Sequence, residues 1–421
     1  MKECRYIELF AGVGGFHVGL DRADKDFYKC VMANQWEPGS KDQFAADIYR
    51  KRFPDDLLIN DDVNNISGKD YEADLLVGGF PCQDYSVARN KSKSFGIEGK
   101  KGVLWWQVIR LIWEMKKKPK FLLFENVDRM IISPAKQRGR DFALIIQSLV
   151  NLGYNLEWRV INAADYGMPQ KRKRIFLFAF RIGSFEVKSP DSWLYKDGVL
   201  AKAFPVKEDP ELGLWGLDQR ELNSDLVHLS DHFNERNILD HPFENAGVVI
   251  DGYISTVKVK PDYSGTFMTL GGVLAQGEDR KLITEDFYLS DEDVKKWEYA
   301  KGHKSFERTS KDGYTYTYNE GAMAFPDYLD KPARTLITSE VSTTPNRFTH
   351  IIRDLENGRL RRLIPLELER IQMFPDNHTE GTTDKKRGFL MGNALVCGIV
   401  ERIGIELKKR IYEDNHTGRD N

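Results

Sequence analysis

Cysteine is scarce in this chain: four residues in 421, Cys4, Cys30, Cys82 and Cys397, with no CxxC pair. That excludes a disulfide framework, and with 8 scattered histidines the spacing of a zinc site is absent as well. An excess of charge of either sign is also missing. The 62 Lys+Arg against 64 Asp+Glu leave a net charge of -2, so any polyanion must be met by local clusters rather than by the total. The uncharged stretch Tyr263 to Gly277 falls short of the roughly 20 apolar residues of a membrane span. The start, Met1 to Phe10, lacks the shape of a secretory signal. The expectation is a soluble, non-exported protein in a reducing cytoplasm. No repeat or low-complexity segment occurs. What the chain does have is 41% hydrophobic residues with 24 Phe, 17 Tyr and 8 Trp, enough for a sizeable core, and a length that suggests two to three domains.

Short apolar runs at Tyr6 to Phe10, Leu75 to Val77, Phe121 to Phe124 and Ile175 to Phe180 read as strands. Amphipathic stretches at Gln43 to Phe53, Trp105 to Lys117 and Phe142 to Leu152 read as helices. The alternation predicts βαβ units and a parallel sheet, with ligands outside the carboxyl ends of strands. From about Gly183 to Lys331 turn residues are frequent and periodicity is weak, which reads as an inserted module. Helical patterning returns at Leu366 to Gln372 and Leu395 to Lys409, before a polar tail from Tyr412 to Asn421.

Four motifs stand out, each with a plain alternative. In Ile7 to Phe16 a strand runs into glycines and then a helix, suiting close approach to a ligand. His17 stands where a third dinucleotide-type glycine would be, so a pyrophosphate cradle is disfavoured. The alternative is an ordinary glycine-rich turn. In Gly78 to Gln83 two glycines and a proline at a strand end would present the Cys82 thiol to a cleft. The alternative is a small buried hydrophobe, the reading that suits Cys4, Cys30 and Cys397. Glu125, directly after Phe121 to Phe124, would sit at the rim of the sheet, where desolvation suits it to proton exchange; it could equally cap the next helix. In Gln170 to Arg174, alternation along an extended chain would put Arg172 and Arg174 on one face and Lys171 and Lys173 on the other; a solvated edge is the alternative.

In this order FAGVGG, GGFPCQ, FENV, QKRKR, the segment Arg361 to Pro375 and Gly392 to Val396 resemble the ordered motifs of the cytosine-C5 DNA methyltransferases. The match covers residues 5 to 180 and about 332 to 405. The resemblance implies an α/β fold: a Rossmann-like S-adenosylmethionine-dependent methyltransferase sheet with helices on both faces, plus a smaller irregular target-recognition domain. It implies a catalytic domain from residues 1–182 and 332–421 and a target-recognition domain from 183–331. It also implies that Cys82 adds to C6 of a flipped cytosine, that C5 then takes the methyl group, that Glu125 acts at N3 and the exocyclic amine, and that Arg172 and Arg174 hold the base. S-adenosyl-L-methionine is the expected cofactor, leaving as S-adenosyl-L-homocysteine, and no metal is needed. Phe10, Gly12, Gly14 and Gly15 are implied around its methionine end, Trp36 against adenine, Asp62 and Val63 at the adenine amine and ring, and Pro81, Asn393 and Leu395 elsewhere in the pocket. Either Gln35 or Glu37 holds the ribose.

The segment 89–101 carries a net +4 and matches the loop that closes over the flipped base. Gln83, Ser86, Arg89, Lys91, Lys93, Lys101 and Gln170 are the implied DNA contacts. Glu367 and Arg370, three apart on a helix, read as structural. Thr266 to Gly272, Tyr314 to Tyr318 and Arg334 to Thr344 are candidate base or backbone readers. Double-stranded DNA is the expected partner, with a cognate restriction endonuclease as functional companion, a monomeric state, no membrane, and a prokaryotic cytoplasm with nucleoid association through DNA. The rivals are a tRNA cytosine-5 methyltransferase, a catalytically silent DNA-binding relative and a nicotinamide oxidoreductase.

Overall fold

The computed structural model describes residues 2–80, 104–207, 220–310 and 313–417. The chain forms two compact units. The first comprises 1–166, 173–265 and 397–421, the second 167–172 and 266–396.

The first unit is built on one sheet. Strands β1 (Cys4–Leu9), β2 (Tyr28–Asn34), β3 (Leu58–Ile59), β4 (Leu75–Gly79) and β5 (Phe121–Val127) lie parallel in the order β3-β2-β1-β4-β5. Helices α1 (Gly15–Asp24), α2 (Phe44–Arg52), α3 (Leu104–Glu114) and α4 (Arg140–Asn151) alternate with them. Helices α2, α3 and α4 agree with those expected from periodicity, α1 follows the glycine motif as expected, and the mixed α/β class is as expected. The near-continuous apolar runs Leu75–Val77 and Phe121–Phe124 are fully buried, as strands covered on both faces must be.

Beyond β5 the parallel expectation fails. Strands β6 (Tyr154–Asn162) and β7 (Lys173–Arg181) pair antiparallel, and β7 inserts antiparallel beside β5. The segment joining them, 163–172, is shorter than the dozen or so residues a parallel crossover needs.

Short strands β8 (Val206–Lys207) and β9 (Arg220–Glu221) precede the hairpin β10 (Ala246–Ile250) and β11 (Tyr253–Val257). Strand β10 pairs with β6, extending the sheet to ten strands, while β8 pairs with β12 (Lys260–Pro261). The turn between β10 and β11 is Asp251-Gly252, both at positive φ (50° and 85°), the two-residue turn that matches strand twist. Gly247 lies flat against Trp158, where a Cβ would fall 2.1 Å from the indole. The chain therefore does not divide at 183 and 331. Residues 183–265 continue the sheet, and 266–331 pack with 332–396. The tail expected from Tyr412 is helical to Thr417, within the helix Cys397–Thr417.

The second unit contains the hairpin β13 (Lys304–Thr309) and β14 (Thr315–Glu320), the pair β15 (Ile351–Arg353) and β16 (Leu360–Arg362), and helices Asp291–Lys301, Pro365–Ile371 and Asp384–Asn393. Buried charge holds it together. Arg361 pairs with Asp354 at 2.8 Å and with Glu367 at 2.7 Å. Glu367 also accepts from the backbone N–H of Ile364, at the start of its own helix, and of Ala275. Arg370 reaches Asp279 at 2.6 Å and Asp376 at 2.5 Å. Glu367 and Arg370 are thus structural, each through partners other than the other.

Under the glycine turn of the first unit lies a buried polar network. Glu8, fully buried in β1, accepts from the N–H of Phe16 in the first turn of α1. Its second oxygen faces the Tyr49 hydroxyl at 3.5 Å, and Tyr49 meets His17 Nδ1 at 3.0 Å. His17 stacks on Phe53 and contacts Asp56 and Asp21 at 3.0 and 3.4 Å. Burial pushes the Glu8 carboxyl up to about 7, moderated by charged His17 and the backbone N–H groups of α1. Burial opposes the His17 charge, but bonds to Asp21 and Asp56 overcome it and push His17 up to about 12.

Two outcomes follow from this packing. Gly14 sits at φ +84°, and an added Cβ would lie 2.4 Å from Phe53 Cε2. Gly14→Ala should destabilise the first unit by about 2–4 kcal/mol, strain and overpacking together, measurable as a lowered denaturation midpoint. Because the folded Glu8 carboxyl titrates above its unfolded value of 4.5, folding favours its protonated form. Its contribution is full below pH 4.5 and is lost as pH rises through about 7. Glu8→Gln should flatten the fall in stability across that window, and an unchanged pH profile of unfolding would refute the assignment.

Candidate active site

All of the expected cofactor residues of the first unit that are described lie just beyond the carboxyl ends of parallel strands. Phe10, Gly12, Gly14 and Gly15 follow β1; Gln35, Trp36 and Glu37 follow β2; Asp62 and Val63 follow β3. The turn after β1 is tight. Phe10 adopts φ 56°, costly for a bulky residue, and Gly12 adopts φ 57°. A Cβ at Gly12 would meet nothing within 4 Å, so the turn opens to space a ligand can fill.

What fixes that turn is a side chain. Gln35 Oε1 accepts from the Gly12 N–H at 2.7 Å, and the Gln35 carbonyl is held by Asn60. Glu37 is half-buried, and its backbone is framed by Gln43, which accepts from its N–H at 2.9 Å and donates to its carbonyl at 3.0 Å. Trp36 is 38% exposed, leaving a flat indole available for stacking. Asp62 caps the short turn Val63–Asn65 by accepting from the Asn64 N–H, and Val63 is buried. Strained turn, flat aromatic and adjacent carboxylates fit an adenosyl cofactor of the S-adenosylmethionine type.

At the other side of the sheet's centre, Glu125 stands within β5 and caps no helix. Its Oε1 lies 2.9 Å from Arg174 Nε, and both side chains are mostly buried. The register explains the pair. Val127 lies opposite Arg174 and Glu125 opposite Phe176, so Glu125 and Arg174 are diagonal neighbours on one face. On the other flank Gly79 pairs with Glu125, and a Cβ there would sit 3.2 Å from Glu125 Oε2. Asn126 donates from Nδ2 to the Phe80 carbonyl at 2.8 Å and accepts from the Val127 N–H, tying the end of β4 to β5. Phe80, Trp105, Phe124 and Met130 form the apolar backing.

Arg172 does not join Arg174. Strand β7 begins at Lys173, and Arg172 precedes it in a turn closed onto Gln170, so strand alternation never reaches it. It is buried in the second unit, donating to the carbonyls of Leu336 and Gly392 at 3.4 and 3.0 Å. Gln170 is likewise no DNA contact here. It is fully buried, its amide donating to Gln372 and accepting from the Leu336 N–H. Asn393 is exposed at the end of helix Asp384–Asn393 and Leu395 is buried, both in the second unit. Pro81, Cys82, Gln83, Ser86, Arg89, Lys91, Lys93 and Lys101 lie outside the described residues.

Burial pushes the thiols of Cys4 and Cys397 far up, and that of Cys30 up against the partial opposition of His17. None of these three is poised as a thiolate. His17, Cys30 and Asp56 bring potential metal-ligand atoms within 4.8 Å of one another, a proximity the scattered sequence positions did not suggest. Both ring nitrogens of His17 already face partners in the network below the turn. Gln35, expected as a ribose candidate, instead holds the turn after β1; Asn126, which ties β4 to β5, was not singled out, although it stands beside Glu125.

The chain is similar to known proteins over nearly its whole length. The family model for C-5 cytosine-specific DNA methylase matches residues 4–409. The Type II methyltransferase M.Sau3AI of Staphylococcus aureus is 43% identical over 417 residues, covering 97% of this chain and 96% of that protein. M.HhaI of Haemophilus parahaemolyticus is 28% identical over 288 residues, 66% of this chain and 80% of that one. Among solved structures, S. pombe Dnmt2 methyltransferase superposes with a TM-score of 0.59 at 15% identity, covering 98% of this chain and 99% of that one. The Entamoeba histolytica methyltransferase EhMeth gives 0.56 at 17%, covering 99% of each. These two show the fold alone. The family match over nearly the whole chain disfavours the tRNA-directed alternative. The chain belongs to the C-5 cytosine-specific DNA methylases, whose general cofactor is S-adenosylmethionine.

Proposed function

We propose that Cys82, Glu125 and Arg174 act on a cytosine extruded from a short specific sequence in duplex DNA, within a Type II restriction-modification system. The observation that carries this is the Glu125–Arg174 pair at 2.9 Å beside Gly79, three residues before Cys82 in the chain.

Carbon 5 of cytosine is a poor nucleophile until C6 is saturated. The Cys82 thiolate adds to C6. Glu125, its Oε1 held by Arg174, hydrogen-bonds or protonates N3, and the ring electrons move to C5. S-adenosylmethionine, when bound, supplies a sulfonium methyl as electrophile. Proton loss from C5 and departure of the thiolate then restore the ring. Phe10, Gly12, Gly14 and Gly15 line the methionine end, Trp36 stacks on adenine, and Asp62 and Val63 flank its edge. Gln35 Oε1 holds the Gly12 N–H, and the ribose hydroxyls are assigned to the Glu37 carboxylate, the stronger acceptor of the two. The chemistry needs no metal. Residues 266–331 with 332–396 form the target-recognition unit, a boundary that follows the packing rather than the texture of the sequence. The basic segment 89–101, with Gln83 and Ser86, meets DNA. A cognate endonuclease, a monomeric state and nucleoid association through DNA complete the proposal.

Cys82→Ser should abolish methylation and covalent trapping by 5-fluorocytosine DNA while cofactor binding persists; trapping that survives would remove Cys82 as nucleophile. Glu125→Gln should slow methylation by about a hundredfold or more with DNA binding retained, and unchanged turnover would remove it from the mechanism. Glu37→Gln should weaken S-adenosylmethionine binding by about tenfold, the loss of a charge-assisted hydrogen bond, in calorimetry with the whole chain. Unaltered affinity would return the ribose to Gln35.

A further inference from the structure

The hairpin of β13 and β14 has exposed residues on both faces. Its register divides the side chains cleanly. One face carries Lys304, Phe306 and Arg308 opposite Glu320, Tyr318 and Tyr316. The other carries Ser305, Glu307 and Thr309 opposite Asn319, Thr317 and Thr315.

The first face is internally satisfied. The Arg308 guanidinium lies 4.0 Å from the Tyr318 ring centroid and 5.0 Å from that of Phe306, and Lys304 lies over Tyr299. Glu320 is paired with Arg347, which also donates to the Gly321 carbonyl. This stack stiffens the ribbon and ties down its base. All six residues of the second face are exposed. Apart from a Thr309–Thr315 hydroxyl contact at 3.3 Å, their side chains have no hydrogen bond or ion pair with any described residue.

A lone two-stranded hairpin is marginal in water, and uncovered strands are an association hazard. Here the ribbon is stiffened on one side and set with short hydrogen-bonding groups on the other. Two strands are the width that a DNA major groove admits. Asn can bond adenine bidentately, Glu accepts from the cytosine amine, and Thr offers a hydroxyl and a methyl for thymine. Given that the chain methylates duplex DNA, the reading on which this inference rests, we infer that this hairpin enters the major groove and that Glu307, Thr317 and Asn319 determine the sequence recognised.

The test uses the full chain. Mapping 5-methylcytosine after expression in a methylation-free bacterium defines the preferred site. Methylation rates are then compared on that site and on duplexes changed at one base, for the wild type, Glu307→Gln, Thr317→Ala, Asn319→Ala and the triple variant. The expected result is a fall of about tenfold or more in the rate ratio at one or more positions, with the unfolding midpoint unchanged because the side chains are exposed. An unchanged ratio in every variant would overturn the proposal. So would an equal loss of rate on all sequences with a shallower salt dependence, the signature of phosphate contact. Absence of methylation by the wild type would remove the underlying reading, and the proposal with it.

Discussion

The ion pair between Glu125 and Arg174 depends on a reversal of strand direction. In the parallel half of the sheet every carboxyl end faces the same edge, so each strand offers that edge only the residues that follow it. Strand β7 runs the other way, and its first residues lie beside the last residues of β5. A cation from the start of one strand therefore meets an acid from the end of another without any long loop. Gly79 leaves the carboxylate room on the third side, and Asn126 fixes the backbone where β4 ends. The short connection 163–172 compels the antiparallel geometry, and the geometry yields the pair.

That dependence explains what was legible beforehand. Glycines, Cys82 and Glu125 could be singled out because they stand at the ends of apolar runs, and the end of an apolar run in an α/β chain is the end of a strand. Arg174 could be singled out from its basic cluster, but for the wrong partner. Alternation groups residues only inside a strand, and Arg172 lies one residue outside. Gln170 shows the same limit from another side: a polar residue in a basic run reads as solvent-facing, whereas here its amide is saturated inside the second unit. Long-range pairings such as Gln35 with Gly12 leave no periodic signal at all.

The compact units divide elsewhere than at 183 and 331 for a different reason. Frequent turn residues and weak periodicity from 183 onward suggested one inserted module, yet the Asp-Gly turn at 251–252 between two apolar runs is a strong local hairpin signal, and Gly247 has no room for a Cβ beside Trp158. Turn-rich sequence marks short elements, not a change of domain. Which core those elements join is decided by pairing with β6, which composition does not encode. Of the hairpin β13–β14 only the second strand stood out, as the run Tyr314 to Tyr318; its partner Lys304–Thr309 did not, and the polar face follows from a period of two on both strands.

The turn after β1 finally distinguishes between cofactor classes. A dinucleotide site places pyrophosphate on the helix N-terminus, where unpaired N–H groups and the helix dipole await an anion. In this chain the first turn of α1 is already met by a protein carboxylate, Glu8, buried beneath it and supported by Tyr49 and His17. A phosphate at the same place would have to compete with Glu8 for the Phe16 N–H. S-adenosylmethionine has no pyrophosphate to place on those N–H groups, and the turn beside them opens to space at Gly12, with the Trp36 indole 38% exposed after the neighbouring strand. His17, which stands where a third dinucleotide-type glycine would be, is joined to that carboxyl through Tyr49.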